Sequence, residues 1–380
     1  MFQNVISLTI FLTIIFFPLH ASVINGSAGN SLKAQEITNF VEPWAMTFIN
    51  DQQLLVTSKR GKVWLVSING EKKEVFGVPK VFFEGQGGLG DVIVHPDFEK
   101  NQLIYLSFVS ADIENTSLKG ATVVRCKFTQ KSGTPFLTDV KLIWNQIPKM
   151  RGSGHFSHRL AFGPKGSIHE DKLFITSGDR QEGMLAQDWK SSVGKIIRLN
   201  SDGTVPKDNP FQDKGELAKS FWTLGHRNAL GIAFDKNGNL WSHEMGPRHG
   251  DELNLIKGGM NYGWPFASEG NHYDGRAIPD HASQPQFFAP VLFWVPTIAP
   301  SGFFFYTGTK FNHWIGDAFI GGLRSKALIR INFSKSGISE SERYSWGSRV
   351  REVEQGPEGS IWVLEDPPFG RLIKFDTLDQ

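Results

Sequence analysis

The sequence predicts an all-β chain: a six-bladed β-propeller of four-stranded antiparallel blades. Three observations carry that expectation. One hairpin pattern recurs six times: an apolar strand, a turn, and a second strand with Leu or Ile beside an aromatic or β-branched residue. A further short strand follows each copy. The composition, with 40 glycines and 12% aromatic residues, suits short strands joined by tight turns.

The six hairpins are residues 46–58 (MTFINDQQLLVTS), 92–108, 160–179, 232–244, 303–323 and 353–366. The strands that follow them are 61–69, 121–129, 194–200, 251–257, 326–334 and 370–377. Turn chemistry sits between paired strands, as in Pro164-Lys165-Gly166, Lys236-Asn237-Gly238 and Pro357-Glu358-Gly359. Such a unit buries both faces of its sheet only against neighbouring copies, which a ring provides. A β-sandwich, or two smaller β domains, is the competing architecture. The copies start at uneven intervals, so long insertions belong on loops; 201–220 and 269–290 are two of them. The segment near residues 35–40 is placed to close the ring against the last blade. No linker composition follows residue 35, so residues 30–380 read as one domain.

The formal net charge of the 380-residue chain is +2, which gives no argument for nucleic acid. Residues 5–17 are an almost unbroken apolar run, short for a membrane span, and Leu19-His20-Ala21 ends in a small residue. Residues 1–21 therefore read as a signal peptide cut near Ala21, predicting a periplasmic or secreted protein with no stable membrane insertion afterwards. The run lacks a preceding Lys or Arg; a cut after residues 26–28 and an uncleaved anchor are the alternatives. The single cysteine, Cys126, excludes an internal disulfide and reads as a small core residue.

Register locates the site. The residues just before the first strand of each hairpin should gather at one end of the central channel. They are Glu42-Pro43-Trp44, Gly85-Gln86-Gly87-Gly88, the run from Gly152 to Arg159, Gly225-His226-Arg227-Asn228, Pro300-Ser301 and Arg349-Val350-Arg351. Glycines let the backbone approach a ligand closely, and several arginines on one small channel predict a polyanion. Pairing of these arginines with Glu42, Asp91 or Glu352 is the plainer alternative. His155 and His158 share a Gly/Ser-rich loop, and His155 is the stronger candidate for a general base. Their spacing does not suggest zinc. The stretch 241–265, WSHEMGPRHGDELNLIKGGMNYGWP, combines tight turns with Glu244, Asp251 and Glu252. Exposed carbonyls with carboxylates suit a hard cation such as calcium; a solvated loop is the alternative.

These motifs resemble the soluble quinoprotein glucose/sorbosone dehydrogenase family, in particular its PQQ-dependent aldose sugar dehydrogenases. The resemblance rests on GQGGLGD at 85–91, GHFSHRLAF at 154–162, GKIIRLNSDG at 194–203, GHRNALGIAFD at 225–235, the 241–265 stretch and RVREVEQGPEG at 349–359. It implies a six-bladed propeller that binds pyrroloquinoline quinone (PQQ), a tricarboxylate, together with calcium. It further implies oxidation of the anomeric carbon of an aldose to the lactone, with an external electron acceptor. By the resemblance, His155 is the general base. Gln86, Arg227, Asn228, Tyr273, Gly322, Leu323, Arg324, Arg349, Val350 and Arg351 fall on cofactor-binding positions. Arg324 stands where a lysine is common. The carbonyls of Gly246 and Pro247 match those that hold a cofactor-bound calcium, and Glu252 and Tyr262 match a second calcium site. A non-catalytic propeller that binds glycan or protein is one competing function. A calcium-dependent lactonase is another, and the arginine-rich channel argues against it.

Overall fold

The computed structural model describes residues 22–335 and 337–378; the expected signal peptide lies outside them. The predicted propeller is present: six antiparallel sheets, five with four strands and one with five. Among the described residues the one α-helix is the single turn Phe98–Asn101.

Blade 1 consists of Pro43–Asn50, Gln53–Ser58, Lys62–Ser67 and Lys72–Val75. Blade 2 runs Leu89–Val94, Leu103–Ala111, Lys119–Lys131 and Thr134–Asn145. Blade 3 runs Ser157–Phe162, Lys172–Ser177, Lys195–Asn200 and Phe221–Leu224. Blade 4 runs Ala229–Phe234, Leu240–Glu244, Asp251–Ile256 and Leu292–Trp294. Blade 5 runs Pro300–Phe305, Ala318–Gly322, Ala327–Ser334 and Gly337–Ser345. In each, the first strand lines the axis and meets the first strands of both neighbouring blades.

Blade 6 takes Val350–Gln355, Ile361–Glu365 and Phe369–Asp376 from the end of the chain and Ser31–Val41 from its start. Ser31–Val41 pairs antiparallel with Phe369–Asp376, from Lys33 opposite Asp376 to Val41 opposite Phe369. The ring is thus closed by a strand from each end of the chain, and residues 35–40 lie within the closing strand. Ser22–Asn25 adds an outer fifth strand.

Packing explains the continuous apolar runs of the second strands, such as Leu54-Leu55-Val56 and Ile361 to Leu364, which are fully buried. A strand inside a propeller has a neighbouring blade on each face, so alternation gives way to uninterrupted hydrophobicity. The buried residues form six clusters, one at each blade interface. Each fully buried Leu, Ile, Val or Phe contributes about 1.5–3 kcal/mol. Cys126 is buried in the cluster between blades 1 and 2. Insertions 201–220 and 257–291 join the third and fourth strands of blades 3 and 4. The second insertion runs back to the channel mouth, where Tyr262 N bonds Leu224 O and Trp264 N bonds Gly225 O. Among the described residues no helix is long and apolar enough to cross a membrane.

Candidate active site

The loops that enter the first strands do meet at one end of the channel. His155 lies in the loop entering blade 3 and is nearly buried. Its backbone N–H donates to Gln86 Oε1 at 2.7 Å, tying it to the blade 2 loop. Its Nδ1 is 2.7 Å from Asp179 Oδ1. A carboxylate only accepts, so Nδ1 carries the proton and Nε2 is left as the basic lone pair. Asp179 is held in turn by Gln181 N at 2.9 Å and by Trp264 Nε1 at 2.8 Å. The two loops pass too closely for a side chain between them: a Cβ on Gly178 would lie 2.1 Å from His155 O. His155, Ser157, His158, Arg180 and Gln181 all have positive φ, a conformation uncommon outside glycine that clusters at functional sites.

Beside His155 the channel opens into a cavity of about 260 Å³ lined by Gln86, Phe156, Asn228, Leu323, Arg349 and Arg351, with Lys59 and Trp44. Asp366 sits between the two arginines, accepting from Arg349 Nε and Arg351 Nε at 2.6 Å each. Each guanidinium is therefore gripped at its Nε edge. Lys59 Nζ donates to Gly85 O at 2.8 Å. Burial, and then repulsion from Arg351, lower its pKa. Three cations with one intervening carboxylate leave the lining positively charged.

The floor of this cavity is a plug. His158 stacks on Trp44 with centroids 5.2 Å apart and bonds Ser107 Oγ at 2.8 Å. Burial, with repulsion from Arg159, drives its pKa down to about 3, so it is a neutral core histidine. Below it the Arg159 guanidinium lies 4.0 Å from the Trp44 ring centroid and pairs with Asp91 and Glu352. The plainer alternative thus describes Arg159, whereas Arg349 and Arg351 pair with Asp366 instead.

Arg227, expected on this cavity, lies outside its lining and against the 241–265 stretch, where it lines a second, smaller cavity. Its Nη1 donates to Met245 O at 3.0 Å and Gly246 O at 2.7 Å, and Nη2 reaches Tyr273 Oη at 3.5 Å. Tyr273 is 72% exposed on the 257–291 insertion. Gly246, Pro247, Glu252 and Tyr262 line one small cavity of about 10 Å³, shared with Glu244 and Trp264. That is room for a single water or ion. Asn254 Nδ2 lies 3.4 Å from Glu244 Oε1 and 3.2 Å from Glu252 Oε2. Burial, and then the Glu244 charge, push the Glu252 carboxyl well above the usual range. The Tyr262 hydroxyl is spent on Leu255 O and Lys257 N, and its ring stacks on His226.

Comparison with known proteins gives this geometry its context. Residues 40–374 match the Glucose / Sorbosone dehydrogenase family. The chain belongs to that family. It is 35% identical over 342 residues to the aldose sugar dehydrogenase YliI of Escherichia coli, covering 87% of this chain and 89% of that protein. The crystal structure of the soluble E. coli aldose sugar dehydrogenase in its apo-form superposes with a TM-score of 0.83 at 32% identity, covering 91% of this chain and all of that one. The PQQ-bound aldose sugar dehydrogenase of Streptomyces coelicolor superposes with a TM-score of 0.74 at 27% identity, covering 93% and 98%.

In this glucose/sorbosone dehydrogenase the residues fit an anionic quinone. The cavity offers two guanidiniums, an ammonium and the amides of Gln86 and Asn228. Arg227 Nε beside it is buried without a hydrogen-bond partner. Around the small cavity the Gly246 and Pro247 carbonyls and the Glu244 and Glu252 carboxylates supply the oxygen ligands a hard cation requires, with the Arg227 guanidinium and Met245 also in its lining, and Asn254 Oδ1 nearby is buried and unpartnered. Among the described residues, no group of three or more His, Cys, Asp or Glu side chains is arranged to hold a metal, so carbonyls would complete any calcium shell.

Gly322 is buried in blade 5, Leu323 lines the large cavity, and Arg324 is exposed and outside its lining. Val350 points into the hydrophobic cluster between blades 5 and 6. Trp44, expected at this mouth from its register, is found there, whereas three residues escaped the sequence: Lys59, Asp179 and Trp264. Asp179 stood at the end of the third hairpin, in Ser177-Gly178-Asp179, where a second strand returns to the mouth. That register was the available signal for it.

Proposed function

We propose that this protein oxidises the anomeric carbon of aldose sugars to the lactone, with PQQ as hydride acceptor, calcium at the cofactor and an external electron acceptor. The observation that carries the reading is the His155–Asp179 pair set against a cationic cavity. When bound, PQQ would supply the two-electron sink that no side chain provides. Arg349, Arg351 and Lys59, with Gln86, Asn228 and Arg227, would hold its carboxylates and carbonyl oxygens. The Gly246 and Pro247 carbonyls, with Glu252 and Tyr262 around the same small cavity, would hold one calcium at the cofactor.

The chain's own chemistry is proton removal. His155 Nε2 takes the proton of the anomeric hydroxyl as the hydride leaves C1. Asp179 keeps the imidazole in the tautomer that can accept it and stabilises the imidazolium that results. The plug of Trp44, His158 and Arg159 closes the channel beneath, so that the sugar enters from the mouth. A signal peptide cut near Ala21 would place this activity in the periplasm or outside the cell.

The test is dye reduction by protein reconstituted with PQQ and calcium. Aldose-dependent turnover is expected. Silence across a broad aldose panel, with no PQQ bound, contradicts the proposal and favours a non-catalytic propeller.

A further inference from the structure

Trp264 touches both halves of this site without lining the large cavity. Its indole N–H donates to Asp179 Oδ2 at 2.8 Å, on the side of the carboxylate away from His155. Its ring carries the Arg227 guanidinium, 5.3 Å from the ring centroid. The main chain fixes the indole: Trp264 N donates to Gly225 O at 3.0 Å, and its O accepts from Gln187 Nε2 at 2.7 Å. Gln187 and Asn261 then brace each other.

We propose that Trp264 is a positioning residue that couples the proton-abstracting pair to the anion-binding arginine, its edge setting Asp179 and its face setting Arg227. The inference rests on the dehydrogenase reading and assigns a role within it. An indole N–H is donor only, so it can meet the outer oxygen of Asp179 in one orientation alone. Asp179 is 1% exposed, so without that donor its outer oxygen has no water to turn to. The carboxylate would then rotate, and its charge would concentrate on the His155 side. The ring face is a separate contribution: it stacks a planar cation and limits where Arg227 can point.

The two contributions separate in two variants. Trp264→Phe keeps a ring face and loses the N–H; Trp264→Leu loses both. For Trp264→Phe, PQQ affinity by calorimetry should stay within about twofold of the parent, while kcat falls about ten- to a hundredfold. The acid limb of its kcat profile should also move to higher pH, because a less dispersed Asp179 charge favours protonated His155. Asp179 is the charged group bonded to that imidazole; neighbouring Arg180 turns away onto Gly154 O, Lys119 O and Gly152 O. Trp264→Leu should lose turnover likewise and bind PQQ at least about tenfold more weakly. The inference is overturned if Trp264→Phe keeps parental kcat and pH profile, or if both variants lose PQQ affinity equally. In the cofactor-free proteins, NMR titration of the His155 ring should show the same upward shift in Trp264→Phe; an unchanged titration overturns the coupling even where the parent proves inactive. Parent protein that binds no PQQ defeats the dehydrogenase reading instead, a result distinct from these.

Discussion

Arg227 donates from Nη1 to the main-chain oxygen of Gly246 at 2.7 Å. The residue proposed to hold a cofactor carboxylate thus occupies a carbonyl proposed to hold the cofactor's calcium. A guanidinium and a divalent cation repel each other, and an anion between them relieves the conflict. Arg227→Met should therefore have opposite effects on the two ligands. PQQ binding should weaken about ten- to a hundredfold, as expected for losing a charged hydrogen bond, while calcium binding to the cofactor-free protein should tighten. Equilibrium dialysis with calcium, with and without PQQ, reads both.

His155→Ala should lower kcat by about 10²- to 10⁴-fold while leaving PQQ affinity nearly intact, since general-base catalysis is lost but the cationic lining is not. Asp179→Asn should lose nearly as much. An amide can present its NH2 group to Nδ1 and draw the proton to Nε2, where a base needs the lone pair. Steady-state dye reduction of both variants, normalised to bound cofactor, checks this.

Such dependence on pairings explains what the sequence concealed. Propeller register was legible because six copies repeat it, so Gln86, His155, Asn228, Arg349 and Arg351 could be placed at one mouth from their offsets alone. Partners across blades have no such period. Asp366 gripping Arg349 and Arg351, or Trp264 reaching Asp179 across 85 positions, follows only from folded distance. His158 shares a loop with His155, yet its ring stacks on Trp44 while His155 bonds Asp179. Loop composition could not separate the two; contacts do.

Arg159 should matter for stability rather than turnover alone. It is buried with Asp91 and Glu352, and removing it strands two carboxylates in the channel. Arg159→Met should cost about 3–5 kcal/mol in a denaturant titration. Glu354, at the far mouth of the channel, should behave in the opposite sense. Burial, and then the charges of Glu352 and Asp91, push its carboxyl well above the ordinary value of 4.5. The folded chain therefore keeps a proton that the unfolded chain releases, and stability from this group falls as pH rises above about 4.5. Glu354→Gln should raise Tm more at pH 8 than at pH 5.

Glu252 should carry calcium-dependent stability. Calcium at about a hundred times its Kd would add about 2.7 kcal/mol if it binds only the folded state. Calorimetric scans should show a calcium-dependent rise in Tm for the parent, reversed by chelator. In Glu252→Gln, where one of the two carboxylates lining the small cavity is neutral, the rise should largely vanish.

The central claim is that the positively charged cavity beside His155 is built for a tricarboxylate quinone. Isothermal titration of the purified protein with PQQ, in the presence of calcium, tests it most directly. Saturable binding of one PQQ per chain, weakened at least about tenfold in Arg351→Met, is the predicted result. No heat of binding at cofactor concentrations that saturate a relative, or binding indifferent to Arg351, would contradict it.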